Sequence, residues 1–184
     1  MERTFLQRHT VEAAKQLLGC RLVRTTDSGR IVVRLTETEA YRGPDDAASH
    51  AHRGVTPRNR LMFGQAGIVY VYLSYGMHYC MNITTEGEGE PGAVLLRGAE
   101  VVEGLDLVRA NRPGVPDAQL LNGPGKLTKG LAIDLSFNGY DLFSPGEGGL
   151  ELWPPETEKP VSIEETGRIG ITKARELPWR FVAR

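Results

Sequence analysis

Cysteine is almost missing from this chain. Cys20 and Cys80 stand alone among 184 residues, too few for a disulfide framework or a cysteine-rich zinc site. Their apolar, strand-like surroundings suit buried free thiols. No segment approaches the roughly 20 apolar residues that a membrane span needs, and the first six residues hold two charges and no apolar run. No secretory signal is therefore expected, and a cytoplasmic, bacterial nucleoid-associated protein without a membrane partner is. A large excess of positive charge is lacking too: the formal net charge is −1, which argues against holding nucleic acid by bulk charge but says little about a local cluster. There is no Walker-type or dinucleotide-binding glycine pattern and no serine nucleophile elbow. No internal repeat or domain boundary appears, so a single domain over residues 1–184 is expected.

The most informative deficit is local. From Ala47 to Thr85 there is not one Asp or Glu. The same stretch carries Arg53, Arg58, Arg60, His50, His52 and His78, interleaved with Tyr70, Tyr72, Tyr75 and Tyr79. Immediately before it runs Thr36-Glu-Thr-Glu-Ala-Tyr41. A carboxylate beside a basic, aromatic surface suits an enzyme that stacks a nucleobase and cuts a bond to it.

The pattern predicts a short first helix, with Thr10 as N-cap, Val11, Ala14, Leu17 and Leu18 as its apolar stripe, and Gly19 as its stop. Strands are expected at 20–24 and 31–39, with a hairpin turn between them. Residues 42–67 read as a long ordered loop with a helical turn near 46–50. Two more strands, 68–73 and 77–83, flank Ser74-Tyr75-Gly76. An exposed acidic loop follows at 86–92, then a strand at 93–97, helices at 105–111 and 125–133, a turn at Asn138-Gly139, a glycine- and proline-rich loop to about Lys159, and a final strand at 179–182. Short helices among hairpin-linked strands imply an α+β domain with a curved antiparallel sheet.

Glu37 and Glu39, two apart in a strand, face one side. Both lie on a solvated sheet face, or one polarises water while structural hydrogen bonds hold the other; spacing does not decide which. Tyr75 stands at a hairpin tip, where residues are normally small and polar, so its ring asks for a partner such as a base step to wedge open. Tyr41 and Tyr72 are suited to sandwich a flat base, with stacking contributing about 1–3 kcal/mol per base. A two-residue hairpin turn would set Tyr72 opposite Tyr79 and send Asn82 to the other face; a three-residue turn or a bulge would bring Tyr72 and Asn82 together. His50 can meet a base edge, and Thr56-Pro-Arg58-Asn-Arg60 has the donors of a phosphate-contact loop. His50 and His52 lie near Asp45 and Asp46 in sequence, but no further ligand has metal-site spacing.

Together these segments resemble the alkyladenine (3-methyladenine) DNA glycosylase family, in the eukaryotic-type form also found in many bacteria. The resemblance runs through Glu37-Thr-Glu-Ala-Tyr41, Asp46-Ala-Ala-Ser-His50, Thr56-Pro-Arg-Asn-Arg60, Tyr70-Val-Tyr-Leu-Ser-Tyr-Gly-Met77, Cys80-Met-Asn82 and Val94-Leu-Leu-Arg97. It continues more thinly through Asn122-Gly-Pro-Gly-Lys-Leu127, Leu131-Ala-Ile133 and Arg168-Ile-Gly-Ile171. His78 departs from it, at a place where an aromatic residue is expected. The resemblance implies a single α+β domain with a curved antiparallel sheet, short surrounding helices and a protruding β-hairpin. It implies Glu39 as the general base, Tyr41, His50 and Tyr72 as holders of the flipped base, and Asn82 as the residue that excludes undamaged guanine. It further implies Tyr75 as the intercalating residue, and Thr56, Arg58, Met77, Arg97 and Lys126 as contacts to the DNA backbone. The partner so implied is double-stranded DNA containing damaged purines, approached through the minor groove by a monomer that needs no cofactor and no metal. With no lysine placed as a Schiff-base nucleophile, a monofunctional enzyme is expected. The competing readings are a DNA-damage binding protein that cuts nothing and a hydrolase of free nucleosides.

Overall fold

Two hairpins and one long strand organise the chain. The computed structural model describes residues 1–144, 149–156 and 161–184. Helix α1, Thr10–Leu17, precedes strands β1, Arg21–Thr26, and β2, Gly29–Tyr41. The expected hairpin turn joins them, and it is a two-residue one, with Thr26 paired to Gly29 around Asp27-Ser28. After the long loop come β3, Val69–Ser74, and β4, His78–Thr84, then β5, Ala93–Glu103. Helices α2, Leu105–Asn111, and α3, Pro124–Gly130, follow, and the chain ends with β6, Leu150–Trp153, β7, Ile163–Thr166, and β8, Arg180–Ala183.

The strands form one antiparallel sheet in the order β3-β4-β5-β2-β1-β6, with β8 pairing β2 and β7 pairing β8. Three register shifts interrupt the β2–β5 ladder, between Val32 and Val33, Leu35 and Glu37, and Glu37 and Thr38. Such irregularities bend and twist a strand, and two of the three flank Glu37, where β2 carries its glutamates. The α+β architecture, the curled antiparallel sheet and the projecting β3–β4 hairpin match the expectation. Leu35, Val71, Met81, Ile83, Val94 and Leu96 fill the core face, against which α1 and α3 pack. Full burial of each such side chain contributes about 1.5–3 kcal/mol. Two hydroxyls fasten helices to strands: Thr38 donates to the Ala14 carbonyl and Thr128 to that of Tyr79.

The structure corrects several local readings. His9, not Thr10, is the N-cap of α1. Thr10 is the first helical residue, and its N–H and hydroxyl both donate to Glu86 Oε1, at 2.7 and 2.8 Å. Glu86 is therefore buried rather than part of an exposed loop; a carboxylate 76 residues downstream takes the orphan donor of the helix end. Residues 46–50 make hydrogen-bonded turns and no helix, because the Asp46 side chain accepts from the Arg42 and Ala48 N–H groups and competes with a helical ladder. A 3-10 helix at Arg60–Phe63 and strands β6 and β7 were not anticipated. Strand β6 interrupts the glycine- and proline-rich loop expected to about Lys159, of which 145–148 and 157–160 lie outside the described residues. Among the described residues, no helix is long and apolar enough to cross a membrane.

Candidate active site

One face of four neighbouring strands builds the site. Register pairs Tyr70 with Asn82, Asn82 with Leu95, and Leu95 with Glu39, from β3 across β4 and β5 to β2. Directly opposed residues in a sheet share a face, and so do residues two apart. Tyr72, Cys80, Ala93, Tyr41 and Arg97 therefore join the same side. The hairpin makes this possible. Ser74 pairs with His78, leaving Tyr75, Gly76 and Met77 as a three-residue turn, so Tyr72 faces Cys80 and shares a side with Asn82. The two-residue alternative, which would have separated them, does not occur.

This face lines a cavity of about 530 Å³. His50 and Arg58 from the long loop, Pro124 at the start of α3, and Ile169, Gly170 and Ile171 close its sides. Among the described residues, no lysine lines it, and no three His, Cys, Asp or Glu side chains cluster as a metal site requires.

The two glutamates have opposite environments. Glu39 is 0% exposed and sits behind the cavity wall, while its three partners line the cavity. Tyr41 OH donates to Oε2 at 2.8 Å, the Ile169 N–H donates to Oε1 at 2.7 Å, and Arg97 Nε lies 3.4 Å from Oε1. Burial pushes the Glu39 carboxyl above the usual range; Arg97, the Ile169 N–H and Tyr41 oppose that without cancelling it, and Glu37 adds to the rise. Glu37 accepts from Arg97 Nε at 2.8 Å and Arg180 Nε at 2.7 Å. Burial raises Glu37 as well, but Arg180 and Arg97 outweigh it and leave its carboxyl below the usual range. A pair of carboxylates driven apart in this way is a mark of divided chemical roles. Neither lies on a solvated face, which removes the structural alternative open from sequence.

Sequence reasoning gave no role to the group that holds this wall in place. Arg168 is wholly buried and pairs bidentately with Asp46, at 2.6 and 2.7 Å, while donating to the Ala40 carbonyl at 2.9 Å. Its guanidinium lies 4.6 Å from the Tyr41 ring centroid and 5.3 Å from that of Trp179. Arg168 thus backs the Tyr41 ring, and its neighbour Ile169 binds Glu39. The only sequence signal was the Arg168-Ile-Gly-Ile171 motif; its partners are far away in the chain.

On the opposite wall, His50 Nδ1 is 3.0 Å from the Tyr70 hydroxyl, and its ring meets Tyr72 edge-on with centroids 4.7 Å apart. Burial and the nearby Arg58 charge lower the His50 pKa and so favour the neutral imidazole. Asn82 is buried, and its NH₂ donates to the Tyr70 carbonyl at 3.0 Å, which fixes the amide at the cavity floor. Arg58 Cζ lies 5.1 Å from the Tyr72 centroid, inside the cavity lining. Arg97 likewise lies at the cavity, engaged with both glutamates.

Of the remaining candidates only Tyr75 lines the cavity; Thr56, Met77 and Lys126 do not. Tyr75 is 85% exposed and Met77 72% at the hairpin tip. Tyr75 and Gly76 both have positive φ, 49° and 68°, and the Met77 N–H donates to the Ser74 carbonyl, as in a type I′ turn. Positive φ on a bulky residue is strained. Thr56 is exposed, its hydroxyl accepting from the Asn59 N–H, and Lys126 on α3 donates to Asn122 Oδ1 at 2.7 Å.

Comparison with known proteins adds a consistent set of likenesses. A sequence profile described as methylpurine-DNA glycosylase matches residues 4–184. A protein of Carboxydothermus hydrogenoformans, provisionally named a 3-methyladenine DNA glycosylase, is 46% identical over 98% of this chain and 93% of its own length. Proteins with the same provisional name in Methanoculleus marisnigri and Streptomyces avermitilis are 49% and 43% identical, over 96% and 98% of this chain and 91% and 86% of theirs.

Proposed function

The chain belongs to the methylpurine-DNA glycosylase family, and on that premise we propose how its geometry does the work. The protein is a DNA-repair enzyme that excises alkylated bases from DNA by hydrolysing the N-glycosidic bond. It acts as a monomer in the cytoplasm and approaches duplex DNA from the minor groove. Tyr75, exposed and presented by the hairpin, enters the base stack and occupies the space of the extruded nucleotide. Extrusion costs a few kcal/mol, least for a damaged or mispaired base, so selection begins before the pocket is reached.

The flipped base lies between Tyr41 and Tyr72 with its edge towards His50. Asn82, immobilised against the Tyr70 carbonyl, crowds the exocyclic amino group of undamaged guanine. Thr56, Arg58, Met77, Arg97 and Lys126 supply the surrounding backbone contacts. Glu39 deprotonates the attacking water. A carboxylate offers about four lone-pair sites; Tyr41 and Ile169 use two while Arg97 pairs with it as a charge, which leaves room for water. The charge of Glu39 also stabilises the oxocarbenium-like sugar. An alkylated cationic purine leaves without a proton. A neutral deaminated purine such as hypoxanthine also belongs to the substrate range, with a harder departure. The absence of a lysine from the described cavity lining supports water as the nucleophile and an intact strand as the outcome.

The observation that carries this reading is a buried, hydrogen-bonded Glu39 directly behind an aromatic-walled cavity. The experiment is incubation of the protein, with chelator, on duplex containing one 7-methylguanine or hypoxanthine. Release of free base with an alkali-labile abasic site is expected. Binding without release would make the protein a damage binder, and activity restricted to free nucleosides would make it a nucleoside hydrolase.

A further inference from the structure

The chemistry given to Glu39 uses one carboxylate, yet the fold sets a second one beside it. Glu37 does not line the cavity, and neither does Arg180, which holds it. A strand irregularity creates the arrangement. In the β2–β5 ladder Glu37 pairs with Gly98 and Thr38 with Leu96, which leaves Arg97 as the extra residue of a bulge. Bulges re-aim a side chain, and this one aims the guanidinium at both glutamates. Its Nε is 2.8 Å from Glu37 Oε1 and 3.4 Å from Glu39 Oε1, so the N–H bonds to Glu37 while the charge is shared. Arg180, whose backbone pairs with Glu39 in the β2–β8 ladder, donates from Nε to the same Glu37 oxygen at 2.7 Å. Its Nη1 is fixed on Thr166 Oγ1 at 3.0 Å. Two carboxylates thus stand against two guanidinium groups, and the cluster is neutral as a whole.

Resting on the glycosylase reading above, we infer that Glu37 is a positioning residue that holds the Arg97 N–H off Glu39 and so sets the strength of Glu39 as a base, with Arg180 as its counterweight. In the reaction a water proton passes to Glu39, the water oxygen bonds to C1′, and the C1′–N bond breaks with its electron pair going to the base. Full pairing with Arg97 would favour ionised Glu39 and oppose that proton transfer. Glu37 competes for the same N–H. Burial is the main reason the Glu39 carboxyl lies above the usual range, and the Glu37 charge adds to that rise. Burial would raise Glu37 too, but Arg180 and Arg97 hold it below the usual range, so its charge persists where Glu39 titrates. The other groups around Glu39 are common to every variant of the test. Tyr41 on β2 and Cys80 on β4 are pushed up by burial and stay neutral in acid. Arg168 is closed in its pair with Asp46, and His50 is held by Tyr70 on the opposite wall.

The test is the pH profile of 7-methylguanine release from duplex, in single turnover at saturating enzyme, for wild type, Glu37→Gln, Arg180→Met and Arg180→Lys. This cationic base needs no proton to leave, so the acid limb reports Glu39. Glu37→Gln keeps an acceptor for both guanidinium groups and removes only the charge. Its acid midpoint is expected to fall by roughly one pH unit, the scale of one nearby charge at an effective dielectric of about 20. Its plateau rate is expected to fall a few-fold, because a weaker base takes a proton less readily. Arg180→Met is expected to move the midpoint up by a similar amount, since Glu37 then has one cation and draws Arg97 further from Glu39. Arg180→Lys keeps the charge and should stay near wild type. A merely structural role would lower the rate at every pH and leave the midpoint in place. Unmoved midpoints, or shifts of the same sign in Glu37→Gln and Arg180→Met, overturn the inference while the glycosylase reading stands. If circular dichroism shows that Glu37→Gln does not fold, the two Arg180 variants decide alone: an unmoved midpoint in Arg180→Met overturns the inference. A wild type that releases no 7-methylguanine overturns the glycosylase reading, and the inference with it.

Discussion

The carboxylate centre and the hairpin tip are built on opposite principles. At the centre, Glu37, Glu39, Arg97, Arg180, Asp46 and Arg168 are buried or half-buried, and each charge has an opposite charge at bonding distance. At the tip, Tyr75 and Met77 are exposed, and the backbone at Tyr75 and Gly76 is held at positive φ. The centre is ordered before any substrate arrives, so its orientation cost is met by folding. The tip keeps exposed apolar surface and backbone strain, both characteristic of a segment shaped for a partner. Chemistry is therefore preorganised, and recognition is left open.

Four predictions test that contrast. The largest effect belongs to Glu39→Gln, which removes the base and leaves the tip untouched. Excision should fall by about 10²- to 10⁴-fold in single-turnover assays, while the Kd for duplex with an abasic-site analogue stays within a few-fold of wild type. Next is Arg168→Met, which leaves the Asp46 charge buried without a partner. Urea unfolding should show a loss of about 3–5 kcal/mol; a loss under 1 kcal/mol would mean that the wall behind Tyr41 stands without the ion pair.

Third, Tyr75→Ala should slow excision from duplex about 10-fold and leave single-stranded substrate nearly unaffected, because only the duplex must be opened. Tyr75→Gly, which relieves the positive φ, should raise unfolding stability by about 1 kcal/mol while losing the wedge. Wild-type activity of both variants on duplex would remove the tip from base extrusion. The smallest effect is in pH. Glu39 must be ionised to act, and its pKa is raised, so excision of 7-methylguanine should fall as pH drops through a midpoint above 4.5. A midpoint below that value would show that Arg97 and the two hydrogen bonds outweigh burial.

The two regions also differed in how far sequence could foresee them. The hairpin was legible because its logic is local: period-two alternation and a turn of either two or three residues leave two registers, and only one puts Tyr72 beside Asn82. The Glu39 strand and the helix at 105–111 were legible from periodicity and proline, as was a helix opened by Pro124, expected over 125–133 and found to end at Gly130. The supports of the centre were not. Glu86 caps α1 from 76 residues away, Arg168 reaches Asp46 across 122 residues, and β7 and β8 supply Arg180 to Glu37 through strand pairing. No local propensity encodes such contacts. Arg58 lay between: the sequence showed a cation in an acid-free loop, and only the fold brings it over Tyr72.

The account turns on one spatial claim, that a damaged base leaves the helix and enters the cavity in front of Glu39. A crystal structure of Glu39→Gln bound to duplex with a single hypoxanthine tests it most directly. The expected result is the base between Tyr41 and Tyr72, its edge at His50, and the Tyr75 ring in the vacated stack. A hypoxanthine still stacked in the duplex, with the hairpin lying along the groove and the cavity holding no base, would contradict it.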